Sequence, residues 1–156
     1  MSRPSTPDIV MLLNLALGQL NDELAADVAA AGFAGLRPAH GYALSRLSFG
    51  GATGVQVAEH LGITKQSAGQ LVDELERSGY VRREPHPTDR RGKLVVLTDR
   101  GWAAVRAAQR ALDGIDARLA DRLGAERLEE LRSALVVAAS GAGAGGGPWR
   151  GLRPPW

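Results

Sequence analysis

The sequence of 156 residues contains no cysteine, and only 4% of its residues are aromatic. Without cysteine the chain has no disulfide framework, no thiolate metal site and no oxidant sensor based on a thiol. No segment approaches the roughly 18 uninterrupted apolar residues of a membrane helix, and the N-terminus carries no cleavage-type signal. We therefore expect a cytoplasmic chain with no membrane partner.

The composition is otherwise ordinary for a globular protein, with 44% apolar residues, 23% charged residues and a net charge of +2. The length suits one domain, which we predict over residues 1–139. Residues 140–156 differ in character, because a glycine-rich run leads into an end rich in proline and tryptophan. We predict a flexible tail there. Docking of Trp149 and Trp156 in a groove of the dimer or on a partner is the alternative.

Two successive helix signals occupy the middle of the chain. Thr53 and Gln56 have the spacing of a capping box at the start of a helix, and Gly62 supplies a left-handed residue to end it. Thr64 then has the character of an N-cap for a second helix. Apolar residues recur on that second helix at three- and four-residue steps, which predicts a buried face. The members of this face are Ala68, Leu71, Val72 and Leu75.

Two helices joined by a short turn containing glycine form a helix-turn-helix, whose second helix presents its N-terminal residues to the major groove of DNA. Glutamine pairs with adenine, lysine binds guanine or phosphate, and hydroxyl groups bond phosphates or bases. An ordinary helical hairpin with a polar outer face is the alternative. The residues that we predict to face DNA here are Thr64, Lys65, Gln66, Ser67, Gly69 and Gln70.

The segment after Gly79 has the pattern of a β-ribbon. Residues 80–84 and 93–98 are predicted as two short strands, the second with a β-branched or apolar run at Val95, Val96 and Leu97, and they flank a loop that contains prolines and glycine. Six basic and two acidic residues lie between positions 77 and 93, so this segment carries +4 in a chain whose net charge is +2. A solvated basic turn is the plain alternative. A basic ribbon directly after a helix-turn-helix indicates a second DNA contact.

The helix-turn-helix, the loop motif Asp89-Arg90-Arg91 and the later run from Leu97 to Gly101 resemble the MarR family of bacterial transcription regulators. The resemblance covers about residues 8–139. It implies a mainly α (α+β) fold, in which a winged helix-turn-helix with a two-stranded β-wing lies between N- and C-terminal dimerisation helices. We accordingly predict dimerisation helices over residues 8–32 and 99–139, and the winged helix-turn-helix over residues 36–98.

In this family the arginine that matches Arg91 enters the minor groove, and the aspartate that matches Asp89 steadies it. A narrow, A·T-rich minor groove concentrates negative potential that attracts arginine, which agrees with this assignment. Arg90 and Lys93 are expected to contact phosphates. The recognition helix departs from the family pattern at Gln70, where many members have arginine. It also departs at Gly69, which either admits the DNA backbone closely or is merely tolerated.

The terminal helices carry more apolar surface than a small winged domain buries. The first helix is broadly apolar between Ile9 and Val28, and this excess predicts a homodimer; closure of a monomeric core is the alternative. A two-fold dimer binds an inverted repeat with half-site centres roughly 10 bp apart. The apolar face predicted on the long helix after Thr98 comprises Trp102, Val105, Ala108, Leu112, Ile115 and Leu119.

The resemblance further implies release of DNA when a small, often aromatic, ligand enters the crevice between the dimer helices and the DNA module. Because a protein that covers a promoter represses by occlusion, we predict a repressor rather than an activator. Candidate lining residues are Phe33, His40, Tyr42 and Trp102, although core packing explains each of them equally well. The three histidines lack the spacing of a metal site, and no catalytic arrangement is evident. We predict no cofactor and no enzymatic activity. A winged-helix module that only mediates protein contacts is the functional alternative.

Overall fold

The computed structural model describes residues 7–140, which form six helices and one two-stranded sheet. This arrangement confirms the predicted mainly α fold with a two-stranded wing. The predicted tail over residues 140–156 lies outside the described residues, apart from the backbone of Ser140. In chain order the elements are α1 (Ile9–Ala30), α2 (Pro38–Ser48), α3 (Gly54–Leu61), α4 (Lys65–Arg77), β1 (Val81–Pro85), β2 (Lys93–Leu97), α5 (Asp99–Leu123) and α6 (Ala125–Ser140).

The capping signals of the helix-turn-helix are all present. The amide of Gln56 donates to the hydroxyl oxygen of Thr53 at 3.2 Å, and the Gln56 side chain accepts the amide of Thr53 at 2.9 Å. Gly62 adopts φ 65°, a left-handed conformation that costs glycine little. Thr64 caps α4 by accepting the amide of Ser67 at 3.1 Å. The turn between α3 and α4 is therefore fixed by local hydrogen bonds.

One apolar cluster joins α2, α3, α4, the sheet and the first turns of α5. The predicted inner face of α4 belongs to it, and no member of that face is more than 5% exposed. Leu47 from α2 and Leu61 from α3 are among the largest fully buried side chains and complete this core. Because its inner face is fully packed, the rotation of α4 about its axis is fixed, and the opposite face is held towards solvent.

The sheet is an antiparallel pair in which Val81 lies opposite Leu97 and Pro85 opposite Lys93. Ala52, directly before α3, forms an isolated bridge to Val95 through hydrogen bonds of 2.8 and 3.0 Å. The base of the wing is therefore attached to the start of the helix-turn-helix.

The buried face of α5 differs from the apolar face predicted on it. Only Ile115 of the predicted set is buried, while Trp102 and Leu112 are 40% and 42% exposed. Small residues fill the packed face instead, because α5 lies close to α1 and α2. The tightest approach is at Gly101, where an added Cβ would lie 2.1 Å from the carbonyl oxygen of Tyr80. The residues that face inwards are Gly101, Ala104, Ala107, Ala111 and Ile115.

Large apolar side chains remain exposed on the terminal helices. On α1 the residues between Ile9 and Leu17 include seven such side chains, each at least 42% exposed. Leu131 and Leu135 on α6 are also more than 40% exposed. Within residues 7–140, none of the helices combines the length and hydropathy of a membrane span. One chain alone therefore leaves a broad apolar surface on α1 in contact with water.

Candidate nucleic-acid interface

The N-terminal turn of α4 presents a row of polar side chains to solvent. Thr64, Lys65, Gln66 and Ser67 are all exposed, and Gln70 follows one turn later on the same side. The hydroxyl of Thr64 donates to the Ser67 oxygen at 2.9 Å, which orders this turn. Gly69 is half-buried, and an added Cβ there would meet no atom of residues 7–140 within 4 Å. All six residues predicted on this helix thus lie on or beside its outer surface.

The loop between β1 and β2 places its cations at the end of the wing. Arg90, Arg91 and Lys93 are exposed, and among residues 7–140 none of them forms an ion pair. The carboxylate of Asp89 accepts the backbone amide of Arg91 at 2.9 Å. Asp89 therefore holds the backbone of Arg91 and leaves its guanidinium free. Free guanidinium and ammonium groups are what a phosphate-lined partner attracts.

A second group in this loop was not predicted from the sequence. The Nδ1 atom of His86 accepts the amide of Thr88 at 3.3 Å and the amide of Asp89 at 3.2 Å. The loop is closed by the amide of His86, which donates to the carbonyl of Gly92 at 3.1 Å. A histidine directly before a proline in a loop gives no distinctive sequence pattern, so this arrangement becomes visible only in three dimensions.

The recognition helix and the wing border one cleft of about 560 Å³. Lys65 and Gly69 line it from α4, while Asp89 and Lys93 line it from the wing. The other six of the ten predicted DNA residues do not line the cleft. They lie in the first turns of α4 and in the wing loop. The structure therefore brings the two predicted contact regions to the same side of the molecule.

Arg83 on β1 connects the wing to the recognition helix. Its guanidinium binds the carboxylate of Asp73 at 2.6 Å and also that of Glu76, and its amide donates to Glu76 at 3.2 Å. Burial acts to lower the pKa of Arg83, but the two carboxylates outweigh this effect and raise the pKa above its ordinary value. The charge of Arg83 is thereby retained, and it neutralises acidic groups near the surface predicted to meet DNA.

A separate cleft of about 690 Å³ lies between the N-terminal end of α2, the C-terminal end of α4 and the start of α5. His40 lines it and is only 7% exposed. The Nδ1 atom of His40 accepts the amide of Arg37 at 3.0 Å, and its Nε2 atom lies 2.9 Å from the carboxylate of Glu74. Because Nδ1 is an acceptor, the proton of the neutral ring is assigned to Nε2, which donates to Glu74.

The other predicted ligand residues are not lining residues of this cleft. Phe33 lies beside it, with its ring 5.9 Å from the guanidinium carbon of Arg100. Tyr42 is half-buried against the core, and Trp102 is exposed on α5. The structure of one chain thus places His40 at the cleft and Phe33 at its edge, and does not bring all four residues together. Within residues 7–140 no three metal-binding side chains cluster.

Comparisons with known proteins agree with this geometry. A family model described as the MarR family matches residues 34–92, which contain the helix-turn-helix, β1 and the wing loop. A crystal structure of RV1404 from Mycobacterium tuberculosis is similar to this chain, with 26% identity and a TM-score of 0.70. That match covers 92% of this chain and all of the other.

The transcriptional repressor CouR, bound to a 23-mer DNA duplex, is 28% identical with a TM-score of 0.73, covering 85% of this chain and 92% of that one. CouR from Rhodococcus jostii RHA1 bound to p-coumaroyl-CoA is 26% identical to this chain, with a TM-score of 0.69. That match covers 88% of this chain and 95% of the CouR chain. The family match over the helix-turn-helix and part of the wing, and a fold shared over most of the chain, make this protein similar to the MarR family and support a DNA-binding transcription regulator.

Proposed function

We propose that this protein is a homodimeric repressor that binds an inverted-repeat operator and is released from it by a small aromatic effector. The observation that carries the proposal is the common cleft between α4 and the wing, bordered by Lys65 and Lys93. Cations that have no acidic partner among residues 7–140 and a polar helix turn on one side of the molecule suit the surface of a duplex. Binding across a promoter would repress transcription by occlusion.

The residues of α4 read the major groove in this proposal. Gln66 and Gln70 are exposed amides suited to adenine, and Lys65 is suited to guanine or phosphate. Thr64 and Ser67 supply hydroxyl groups at the helix N-terminus, where phosphate is favoured by the helix dipole. Gly69 leaves the middle of this surface free of a side chain, so the helix backbone can approach the duplex.

The wing supplies a second contact in the minor groove. Arg91 projects from a loop in which Asp89 fixes its backbone, and its guanidinium has no acidic partner among the described residues. Arg90 and Lys93 flank it and bind phosphates. Base readout by α4 and shape readout by Arg91 then act on adjacent parts of one half-site.

The dimer is supported by the apolar surface of the terminal helices. Ile9, Val10 and Leu15 on α1 are 64–67% exposed in one chain, and such a surface is unfavourable in water unless a partner covers it. A second copy of the chain would cover this surface and would also supply a second recognition helix. Two copies related by a two-fold axis require two half-sites in inverted orientation.

The effector site is proposed at the crevice near His40 and Phe33, completed by Tyr42 and Trp102 once the dimer forms. The CouR relative in complex with p-coumaroyl-CoA supports an effector with an aromatic group. A ligand beside His40 would contact a side chain that is bonded to Glu74 of the recognition helix. Such a contact provides a physical route from ligand to α4 only if the ligand prefers one arrangement of that helix.

Comparison of Arg91→Ala with Lys93→Ala tests the DNA proposal. Arg91→Ala is expected to weaken binding mainly on operators with A·T-rich flanks, because only those have a narrow minor groove. Lys93→Ala should weaken binding to every sequence and reduce the slope of log affinity against log salt by about one. Fluorescence anisotropy over a salt series measures both. Equal loss on A·T-rich and G·C-rich flanks for Arg91→Ala would contradict the minor-groove assignment.

Addition of aromatic acids and their thioesters to the preformed complex tests release. A true effector lowers operator affinity at constant ionic strength, and His40→Ala should abolish that decrease while leaving duplex binding without effector intact. A decrease that persists in His40→Ala and in Phe33→Ala would show that the effector acts elsewhere.

A further inference from the structure

His86 lies in the wing loop between β1 and β2, where it bonds the backbone of the residues that follow. Its side chain is half-buried, and its ring folds back over the residues that follow. The Nδ1 atom accepts two successive amides, those of Thr88 and Asp89. The Thr88 hydroxyl also lies 3.4 Å from Nδ1. Pro87 has no amide to donate, so this ring nitrogen receives every amide between His86 and Arg90.

These bonds lead directly to the residue proposed to enter the minor groove. The amide of Asp89 donates to the Nδ1 atom of His86, and the carboxylate of Asp89 in turn accepts the amide of Arg91. The order of the contacts is therefore His86, then Asp89, then Arg91. A change in the His86 ring alters the backbone from which Arg91 projects, without removing any charge from Arg91 itself.

Close packing at Gly92 supports the same arrangement. A Cβ added at Gly92 would lie 3.2 Å from both the Cβ of His86 and a carboxylate oxygen of Asp89. The amide of Gly92 donates to the carbonyl of Asp89 at 3.1 Å, and its carbonyl accepts the amide of His86 at 3.1 Å. The ring of His86, the side chain of Asp89 and the backbone of Gly92 thus form one compact turn.

The geometry points to His86 as a positioning residue for the wing: its Nδ1 atom, as a hydrogen-bond acceptor, orders the loop that presents Arg91 to DNA. This inference rests on the proposed function, in which Arg91 contacts the duplex. The neutral ring must carry its proton on Nε2, because Nδ1 accepts amides. Any side chain with an acceptor at the Nδ1 position can serve the same role.

Two substitutions separate this role from the mere presence of a histidine. In His86→Asn, the amide oxygen is attached to Cγ as Nδ1 is in histidine, so it can accept the same two amides, as asparagine commonly does in turns. In His86→Ala no acceptor remains. Both variants lack the ring and its Nε2 proton. His86→Asn should therefore restore the loop order that depends on the hydrogen-bond acceptor. It should not restore any property that depends on the ring or on its Nε2 proton.

Amide exchange in the free protein tests the inference without DNA. The exchange rates of the Thr88, Asp89 and Arg91 amides, measured by NMR, should rise several-fold in His86→Ala and return towards the original rates in His86→Asn. Amides of α4 provide the internal control and should not change in either variant. Unchanged loop exchange in His86→Ala, or equal acceleration in both variants, would overturn the inference.

Operator binding supplies the second readout. His86→Ala is expected to reduce affinity about five-fold, a change of the size typical for one or two lost hydrogen bonds, and to weaken the preference for A·T-rich flanks. In an Arg91→Ala background it should cause little further loss, because the positioned side chain is already absent. Additive losses in this double-mutant cycle would contradict the positioning role.

The two proposals can fail separately. If Arg91→Ala leaves operator affinity unchanged, the minor-groove contact is wrong, while the exchange measurement still decides whether His86 orders the loop. If Arg91→Ala weakens binding but His86→Ala does not, the contact stands and the positioning role of His86 is wrong. If His86→Asn binds the operator as tightly as the original protein, the result supports the role of the acceptor at the Nδ1 position. If His86→Asn binds as weakly as His86→Ala, the result contradicts that role.

Discussion

The guanidinium of Arg83 on β1 binds the carboxylate of Asp73 on α4, with the two atoms 2.6 Å apart. This contact joins the wing to the recognition helix beside the cleft that Arg83 helps to line. It also pairs an acidic residue that would otherwise face the phosphates. The orientation of the wing relative to α4 therefore depends on an ion pair as well as on the shared core.

Removal of the ion pairs that Arg83 forms with Asp73 and Glu76 is expected to destabilise the protein. Arg83→Ala leaves Asp73 and Glu76 without their shared cation, and we expect a loss of about 1 kcal/mol, because partly exposed ion pairs contribute modestly. Arg82→Ala is the matched control, since Arg82 is on the same strand but pairs with Glu84 at the exposed surface. Urea unfolding measures both. Equal shifts for the two variants would contradict a specific role for Arg83.

Two glycine substitutions are expected to change stability in opposite directions. Gly101→Ala would place a Cβ 2.1 Å from the Tyr80 carbonyl, and such overpacking should cost about 3 kcal/mol or more. The Cβ of Gly69→Ala meets no atom of the described part of the chain within 4 Å, so better helix propensity should stabilise α4 by about 0.5–1 kcal/mol. Thermal unfolding of both variants checks the prediction. Destabilisation by Gly69→Ala would show a packing constraint that is absent from the structure of one chain.

The acid sensitivity of the domain should depend partly on Glu74. The hydrogen bond from His40 lowers the pKa of Glu74 below its ordinary value of 4.5; burial opposes this shift, and Arg37 adds to it. A carboxylate with a lowered pKa stabilises the folded state above its ordinary pKa and loses that contribution as pH falls through the lowered value. The contribution is therefore complete at neutral pH and disappears in acid.

Glu74→Gln should accordingly reduce stability at neutral pH and have less effect in strong acid. The measurement is the urea midpoint between about pH 6 and pH 3, where carboxylates titrate. Glu59→Gln on α3 is the control, since Glu59 is exposed and forms no ion pair within residues 7–140. The same pH profile for Glu74→Gln and the original protein would contradict the prediction.

A charge placed on the apolar surface of α1 should separate the dimer. Leu15 is 64% exposed in one chain, so Leu15→Asp leaves the chain's own core intact but buries an unpaired carboxylate if a second copy covers α1. Sedimentation should show monomers at micromolar concentration. Phe49→Asp is the matched control, since Phe49 is an 86% exposed apolar residue that follows α2 and is not part of α1. Dimers of Leu15→Asp as stable as the original would place the interface elsewhere.

The sequence was sufficient to predict the elements that local chemistry determines. The capping box at Thr53, the left-handed Gly62 and the cap at Thr64 need only near neighbours, and all three are confirmed. The inner face of α4 was predicted because its apolar residues recur with helical spacing. The two strands and the basic loop followed from β-branched runs, proline and glycine.

Contacts between distant residues were not predictable in this way. The buried face of α5 consists mainly of alanines, whose weak hydropathy makes them inconspicuous beside Trp102 and Leu112. Close helix packing selects the small residues and leaves the large ones outside. The contact of Arg83 with Asp73 joins a strand to a helix, and the role of His86 depends on which ring nitrogen faces the loop. None of these relationships has a signature in spacing alone.

Selection of a randomised duplex library by the purified protein at near-physiological salt tests the central claim most directly. A two-fold dimer that reads DNA through α4 and the wing should enrich an inverted repeat with half-site centres about 10 bp apart. The enriched duplexes should lose affinity in Arg91→Ala. Failure of the folded protein to enrich any sequence, with binding that does not depend on salt, would contradict the account and favour a winged-helix module for protein contacts.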